Sequence, residues 1–186
     1  MDEKKTAVFL DRDGTLNMDK GYTYLYENWE WLPGTLKALK LLNKTGANLV
    51  VVTNQAGIAK SLYTEKDVLL LHKKIDADLK KEGVVVSGWY YCPHHPDFTG
   101  PCECRKPKTG MFKKAAKDLN ISLKDSYMVG DKKSDIEAGL NAGMRLVILV
   151  RTGYGDLLEV IPPGVRVAEN ISEATNIILS DISKKK

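Results

Sequence analysis

The chain has 186 residues, 43% of them apolar and 28% charged, with a net charge of +4. That length suits one domain over 1–186 with a real buried core, and the composition is that of an ordinary globular protein. No apolar stretch approaches the ~20 residues that span a bilayer, the N-terminus lacks a secretory pattern, and basic residues are not interleaved with aromatics as a nucleic-acid surface requires. The expectation is a cytoplasmic monomer with no membrane or nucleic-acid partner.

Residues 6–11, TAVFLD, predict a short buried strand. Residues 34–46 carry leucines at 36, 39, 41 and 42 and stop at Gly46, which predicts a helix with a glycine end. Residues 47–54 predict a second buried strand. Thr64 suits the N-cap of an amphipathic helix over 64–82, with Val68, Leu69, Leu71, Ile75 and Leu79. Inside it, His72 reads as an ordinary surface histidine. Further strands are expected over 84–92, 126–131 and 144–150, and helices over 110–120, 134–143 and roughly 171–181. Lys184 to Lys186 read as a solvated tail. The aromatic-rich stretch 16–32 has no period and is expected to be a loop or hairpin over a site.

Continuously apolar strands alternating with helices predict an α/β fold, a parallel sheet with helices on both faces. Such sheets bind ligands beyond the carboxyl ends of their strands. At those ends stand Asp11, Thr53, Cys92 and Asp131.

Asp11 and Asp13 lie one residue apart, followed by Gly14. Two such carboxylates can bind one hard cation, Mg²⁺ above all, and beside it serve as nucleophile and proton carrier. Asp131 and Asp135 form a second acidic pair, with Asp135 either a metal neighbour or the N-cap of the next helix. Thr53 and Asn54 offer a hydroxyl and backbone N–H groups to a phosphate oxygen. Arg105 and Lys106 offer positive charge to phosphoryl groups.

All three cysteines and two of three histidines fall within 92–104, CPHHPDFTGPCEC. Cys92 and His94 are spaced i, i+2, and so are Cys102 and Cys104. Three sulfurs and one nitrogen suit a closed, structural Zn²⁺ site. Neighbouring side chains of an extended segment point apart, so one of His94 and His95 binds. The matched spacing favours His94.

Together these segments resemble the haloacid dehalogenase (HAD) superfamily of phosphotransferases. DRDGT (11–15), Thr53, Lys106 and GDKKSD (130–135) follow the family's order, over roughly 6–150. The resemblance implies a Rossmann-like sheet and an aspartyl-phosphate formed on Asp11. It implies that Asp13 protonates the leaving group and then deprotonates water, and that Thr53 and Lys106 hold the phosphoryl oxygens. Mg²⁺ falls to Asp11, Asp131 and the carbonyl of Asp13, with Lys132 beside the metal. These roles meet what phosphoryl transfer demands, in-line positioning and charge neutralisation.

FLDRDGTLN, Gly21-Tyr22, VVTNQAGIAK, YYCPHHP, C-x-CRKP and MVGDK are similar, more closely, to a capless HAD subfamily. That subfamily hydrolyses heptose bisphosphates and histidinol phosphate, with a zinc loop and short inserts instead of a cap domain. The similarity implies a small phosphorylated sugar as substrate, a heptose 1,7-bisphosphate losing its 7-phosphate in the supply of activated heptose. It implies a substrate site lined by Asp19, Lys20, Gly21, Tyr22, Thr53, Asn54, Gln55 and Ala56, with Arg105 in recognition. Arg105 suits a second phosphate better than a cationic histidinol. Lys132 departs from the pattern, because many relatives carry a second acid there, and this leaves the role of Asp135 open. The non-enzymatic alternative is a zinc-dependent nucleic-acid module.

Overall fold

A computed structural model describes residues 4–184. Of the expected lysine tail, Lys184 is exposed, while Lys185 and Lys186 lie outside the described residues. Six strands make one parallel sheet: β1 (Ala7–Leu10), β2 (Asn48–Asn54), β3 (Gly88–Cys92), β4 (Tyr127–Gly130), β5 (Leu146–Val150) and β6 (Val165–Ala168). Their order is β3-β2-β1-β4-β5-β6, and every pairing is parallel. The order reverses between β1 and β4, so the crevice for a ligand opens at their carboxyl ends.

The helices are α1 (Thr35–Asn43), α2 (Ala56–Ala59), α3 (Glu65–Lys81), α4 (Pro96–Thr99), α5 (Gly110–Asp118), α6 (Lys133–Asn141) and α7 (Ile171–Ser183). The pleat sends alternate strand residues to opposite faces. Val8, Leu10, Leu49 and Val51 pack against α1, α3 and α7. Ala7, Phe9, Val50 and Val52 pack against α5 and α6. Both faces are covered, as the unbroken apolar strands require.

Helix α3 begins where Thr64 predicts. The Thr64 hydroxyl accepts from the Asp67 N–H at 3.3 Å, and the Asp67 carboxylate accepts from the Thr64 N–H at 2.8 Å. Such a capping box stabilises a helix by about 1 kcal/mol. Val68, Leu71, Ile75 and Leu79 are buried, a strict i, i+3, i+4 stripe. Leu69 falls off that stripe and is 54% exposed, contrary to expectation.

His72 is also misread by the sequence. It falls one position from Leu71 on the inward side and is only 4% exposed. The expected strand over 84–92 forms only from Gly88. Among the described residues it is the sheet's edge and pairs with β2 alone, and Val84 to Ser87 run in as coil. Strand β6 was not anticipated, because VRVA is short, follows a proline pair and carries exposed Arg166. Stretch 16–32 is a loop, as expected. It is tied to Asp13 through Asn17 and to itself by an Asn17–Trp31 bridge.

Candidate active site

Asp11 follows β1 directly, and its N–H donates to the Val129 carbonyl at 2.9 Å. This hydrogen bond aligns it with Asp131, the residue after β4. Lys106 arrives from the other side. Its Nζ lies 2.6 Å from Asp11 Oδ1, 2.6 Å from Asp135 Oδ1 and 2.7 Å from the Val52 carbonyl. Asn54 fixes the Lys106 backbone: its side chain accepts from the Lys106 N–H at 3.0 Å and donates to the Lys106 carbonyl at 3.1 Å. Thr53 lies beneath, where its hydroxyl accepts from Gln55 Nε2 at 2.8 Å.

Asp131 is wedged between two glycines. A Cβ at Gly14 (φ +91°) or at Gly153 (φ +59°) would lie 2.2 Å from Asp131 Oδ2. Only glycine permits both the left-handed backbone and that approach. The Tyr154 N–H donates to the same oxygen at 2.9 Å.

Carboxylate oxygens of Asp11, Asp131 and Asp135 all lie within 4.8 Å of one another, and all three residues are buried. Burial first, then the charges of Asp11 and Asp135, push Asp131 up to about 8. Asp11 is raised too, by burial and by Asp135, against the pull of Lys106 and Lys132. Three buried acids converging beside Lys106 and Lys132 offer oxygen donors that fit a hard divalent cation such as Mg²⁺.

Of the two readings left open for Asp135, the structure places it among the acids, and Lys132 is the N-cap. Asp135 is the third residue of α6, and its carboxylate accepts from the Lys132 N–H at 2.9 Å while pairing with Lys106. Lys132 Nζ lies 3.0 Å from Asp19 Oδ2 and 4.8 Å from the Tyr154 ring centre. Burial disfavours its charge, but Asp11, Asp131 and Asp19 outweigh that and raise its pKa. A held ammonium has no lone pair, so the Lys132 side chain is a counter-charge beside the acids.

The Asp13 carboxylate stays outside that trio. It accepts from Arg12 Nε at 3.1 Å, Asn17 Nδ2 at 3.0 Å and Gln55 Nε2 at 3.1 Å. Burial opposes its charge, yet Arg12 and Asn17 hold its pKa below the ordinary value.

A cleft of about 220 Å³ opens beside these groups. Asp13, Asp19, Gly21, Tyr22, Asn54, Gln55, Ala56 and Lys132 line it, all anticipated. Four expected substrate contacts do not line it, and of these Thr53 and Lys106 are buried. Lys20 pairs with Glu30 at 2.7 Å, and Arg105 Nη1 donates to the His94 carbonyl at 3.2 Å. Tyr63 and Tyr154 line the cleft unanticipated. Tyr154 lies four residues past the last predicted strand, in the loop that this strand feeds into the crevice. Arg12, fully buried, was passed over although it sits inside DRDGT.

The cysteine loop closes on itself. Sulfurs of Cys92, Cys102 and Cys104 and a ring nitrogen of His94 lie within 4.8 Å of one another. The cysteines are free thiols. His94 Nδ1 stands 3.3 Å from Cys104 Sγ. His95 points to other work: its Nδ1 accepts from the Asp97 N–H at 3.3 Å, at the start of α4.

A family model for HAD-hydrolase-like proteins matches residues 103–174. D-glycero-beta-D-manno-heptose-1,7-bisphosphate 7-phosphatase of Haemophilus ducreyi is 50% identical over 154 residues, 80% of this chain and 85% of that protein. The protein of the same name from Yersinia pestis is 46% identical over 158 residues, 82% and 84% of the two chains. The crystal structure of D,D-heptose 1,7-bisphosphate phosphatase from B. bronchiseptica, complexed with magnesium and phosphate, superimposes with a TM-score of 0.87. It is 33% identical and covers 95% of this chain and 99% of its own. With half its aligned residues identical across four-fifths of its length, the chain belongs to the heptose-1,7-bisphosphate 7-phosphatase family of HAD hydrolases.

Proposed function

We propose that the protein is a Mg²⁺-dependent phosphatase that removes the 7-phosphate of D-glycero-D-manno-heptose 1,7-bisphosphate. The relatives' names favour the β anomer. The observation that carries this reading is the buried cluster of Asp11, Asp131, Asp135 and Lys106 beside the cleft.

In this reading Asp11 attacks phosphorus, the bond to the sugar oxygen breaks, and Asp13 gives that oxygen its proton. Asp13 then takes a proton from the water that hydrolyses the aspartyl-phosphate. Lys106 and Thr53 hold phosphoryl oxygens. Asp11, Asp131 and the Asp13 carbonyl hold Mg²⁺, which when bound neutralises the charge of the transferring group. Gly21, Tyr22, Asn54, Gln55 and Ala56 accept the sugar, and Asp19 holds Lys132 at its edge.

Cys92, His94, Cys102 and Cys104 hold Zn²⁺. Four donors leave no open position for water, so the metal is structural. It fixes the segment that delivers Arg105 and Lys106, and Arg105 meets the second phosphate by leaving the His94 carbonyl. The whole chain acts as one domain and a cytoplasmic monomer. Among the described residues no helix is long and apolar enough to cross a membrane.

Phosphate release from both anomers of the bisphosphate, histidinol phosphate and fructose bisphosphate tests this. Dominant turnover of the β anomer, lost in Asp11→Asn, is expected. Dominant turnover of histidinol phosphate overturns it.

A further inference from the structure

We propose that His72 is a positioning residue for the reaction, holding Arg12 and, through Arg12, the carboxylate of Asp13. This rests on the phosphatase reading above.

Arg12 is the largest fully buried side chain. Nε reaches Asp13 Oδ2 at 3.1 Å, and Nη2 reaches Oδ1 at 3.2 Å. Nη2 also donates to the Thr23 carbonyl, at 2.7 Å, in the loop over the site. Nη1 lies 3.1 Å from His72 Nε2. A guanidinium can only donate, so Nε2 accepts and the ring proton sits on Nδ1. Nδ1 is buried with no hydrogen-bond partner among the described residues. An unpaired buried donor costs stability, so the histidine is not explained by satisfaction of its own polar atoms.

The ring is held in place. It stacks on Trp89, with centroids 4.6 Å apart and planes 27° apart, and meets Tyr91 edge-on at 6.2 Å. Burial, then the Arg12 charge, push its pKa down to about 3, so it is a neutral acceptor at neutral pH. The fork of Arg12 is therefore fixed by four contacts, two to Asp13, one to the Thr23 carbonyl and one to His72.

Asp13, whose ionised form Arg12 and Asn17 favour, must take up a proton from water and hand it to a sugar alkoxide, which leaves poorly without one. p-Nitrophenolate leaves unprotonated. The kcat/KM value reports events up to cleavage of the phosphorus–oxygen bond, so the ratio of kcat/KM for the two substrates isolates the proton donor. His72→Phe keeps the stacked ring and removes the acceptor. The expected result is a fall in kcat/KM about tenfold larger for heptose bisphosphate than for p-nitrophenyl phosphate. His72→Gln restores an acceptor oxygen and recovers most of the ratio. A ratio unchanged in His72→Phe, or left as low in His72→Gln, overturns the proposal. Should His72→Phe not fold, Trp89→Leu removes the ring that orients His72, and an unchanged ratio there overturns it equally. Failure of the phosphatase reading shows separately, as an unmutated protein that releases phosphate from neither substrate.

Discussion

Lys106 Nζ stands 2.6 Å from Asp11 Oδ1, although 95 residues separate them in the chain. The lysine is 3% exposed, and both acids it pairs with are buried. Its pKa is raised because Asp11 and Asp135 outweigh the burial that opposes its charge. The amine is thus a fixed cation at the place where phosphoryl oxygens arrive.

Lys106→Met removes that cation and leaves Asp11 and Asp135 without it. A drop of about 10²–10³-fold in kcat is expected. Breaking a buried pair also costs about 3–5 kcal/mol of stability, part of which Mg²⁺ returns by binding the exposed negative charge. Denaturant midpoints with and without Mg²⁺ check this. A variant less sensitive to Mg²⁺ than the parent contradicts it.

Mg²⁺ binding should strengthen with pH. Without a cation Asp131 keeps its proton to about 8, against an ordinary value of 3.8. The folded, metal-free protein therefore binds more protons than the unfolded chain between those values, and its stability falls as pH rises through them. Mg²⁺ must displace the proton, so its affinity rises about tenfold per pH unit until pH nears 8, then levels. Thermal-shift titrations from about pH 6 to 9 measure it. Equal affinity across that range counts against the assignment.

Much of this site was readable before any coordinates. Asp11, Asp131 and Cys92 each end an unbroken apolar run, and the end of a buried parallel strand is where side chains reach a ligand crevice. What stayed hidden depends on tertiary partners. His72 lies in a run of leucines and lysines, LLLHKKI, and nothing local says that Trp89 and Arg12 cover it. Asp135 reads equally as a metal neighbour or a cap, because Asp suits both places. Its pairing with Lys106 needs a fold that brings residues 106 and 135 together. The resemblance puts Arg105 on the substrate, and no local signal foretells that its guanidinium donates to the His94 carbonyl in the cysteine loop.

Loss of zinc should act at a distance. The loop supplies Lys106, whose backbone is pinned to β2 through Asn54. Cys102→Ser, or full chelation followed by Mg²⁺ replacement, is expected to lower kcat/KM about tenfold or more. The same change should lower Tm by about 4 °C or more. Metal analysis must show the zinc gone. If activity and Tm both survive its removal, the loop needs no metal.

Gly153→Ala is a test that replaces no charged residue. The added methyl would meet Asp131 Oδ2 at 2.2 Å and the Gly14 Cα at 2.8 Å, on a backbone with φ +59°. The carboxylate must move, so Mg²⁺ affinity should fall about tenfold, with saturating Mg²⁺ restoring much of kcat. Unchanged Mg²⁺ dependence shows that the Asp131 position tolerates the shift.

His72 should also leave a mark on acid stability. Its folded pKa is about 3 and its ordinary value is 6.5. Between these values the unfolded chain binds a proton that the folded protein refuses. Stability is therefore fully present above about pH 6.5 and falls with pH by up to about 1.4 kcal/mol per unit. From pH 6.5 to 5 the parent should lose about 2 kcal/mol through this residue alone. His72→Phe has no such proton to refuse, so its denaturant midpoint should fall less over that span. Parent and variant differ at this one position, so the comparison isolates His72. Parallel acid profiles for parent and variant would mean that His72 binds its proton as readily when folded, and that its ring is not shut in between Arg12 and Trp89.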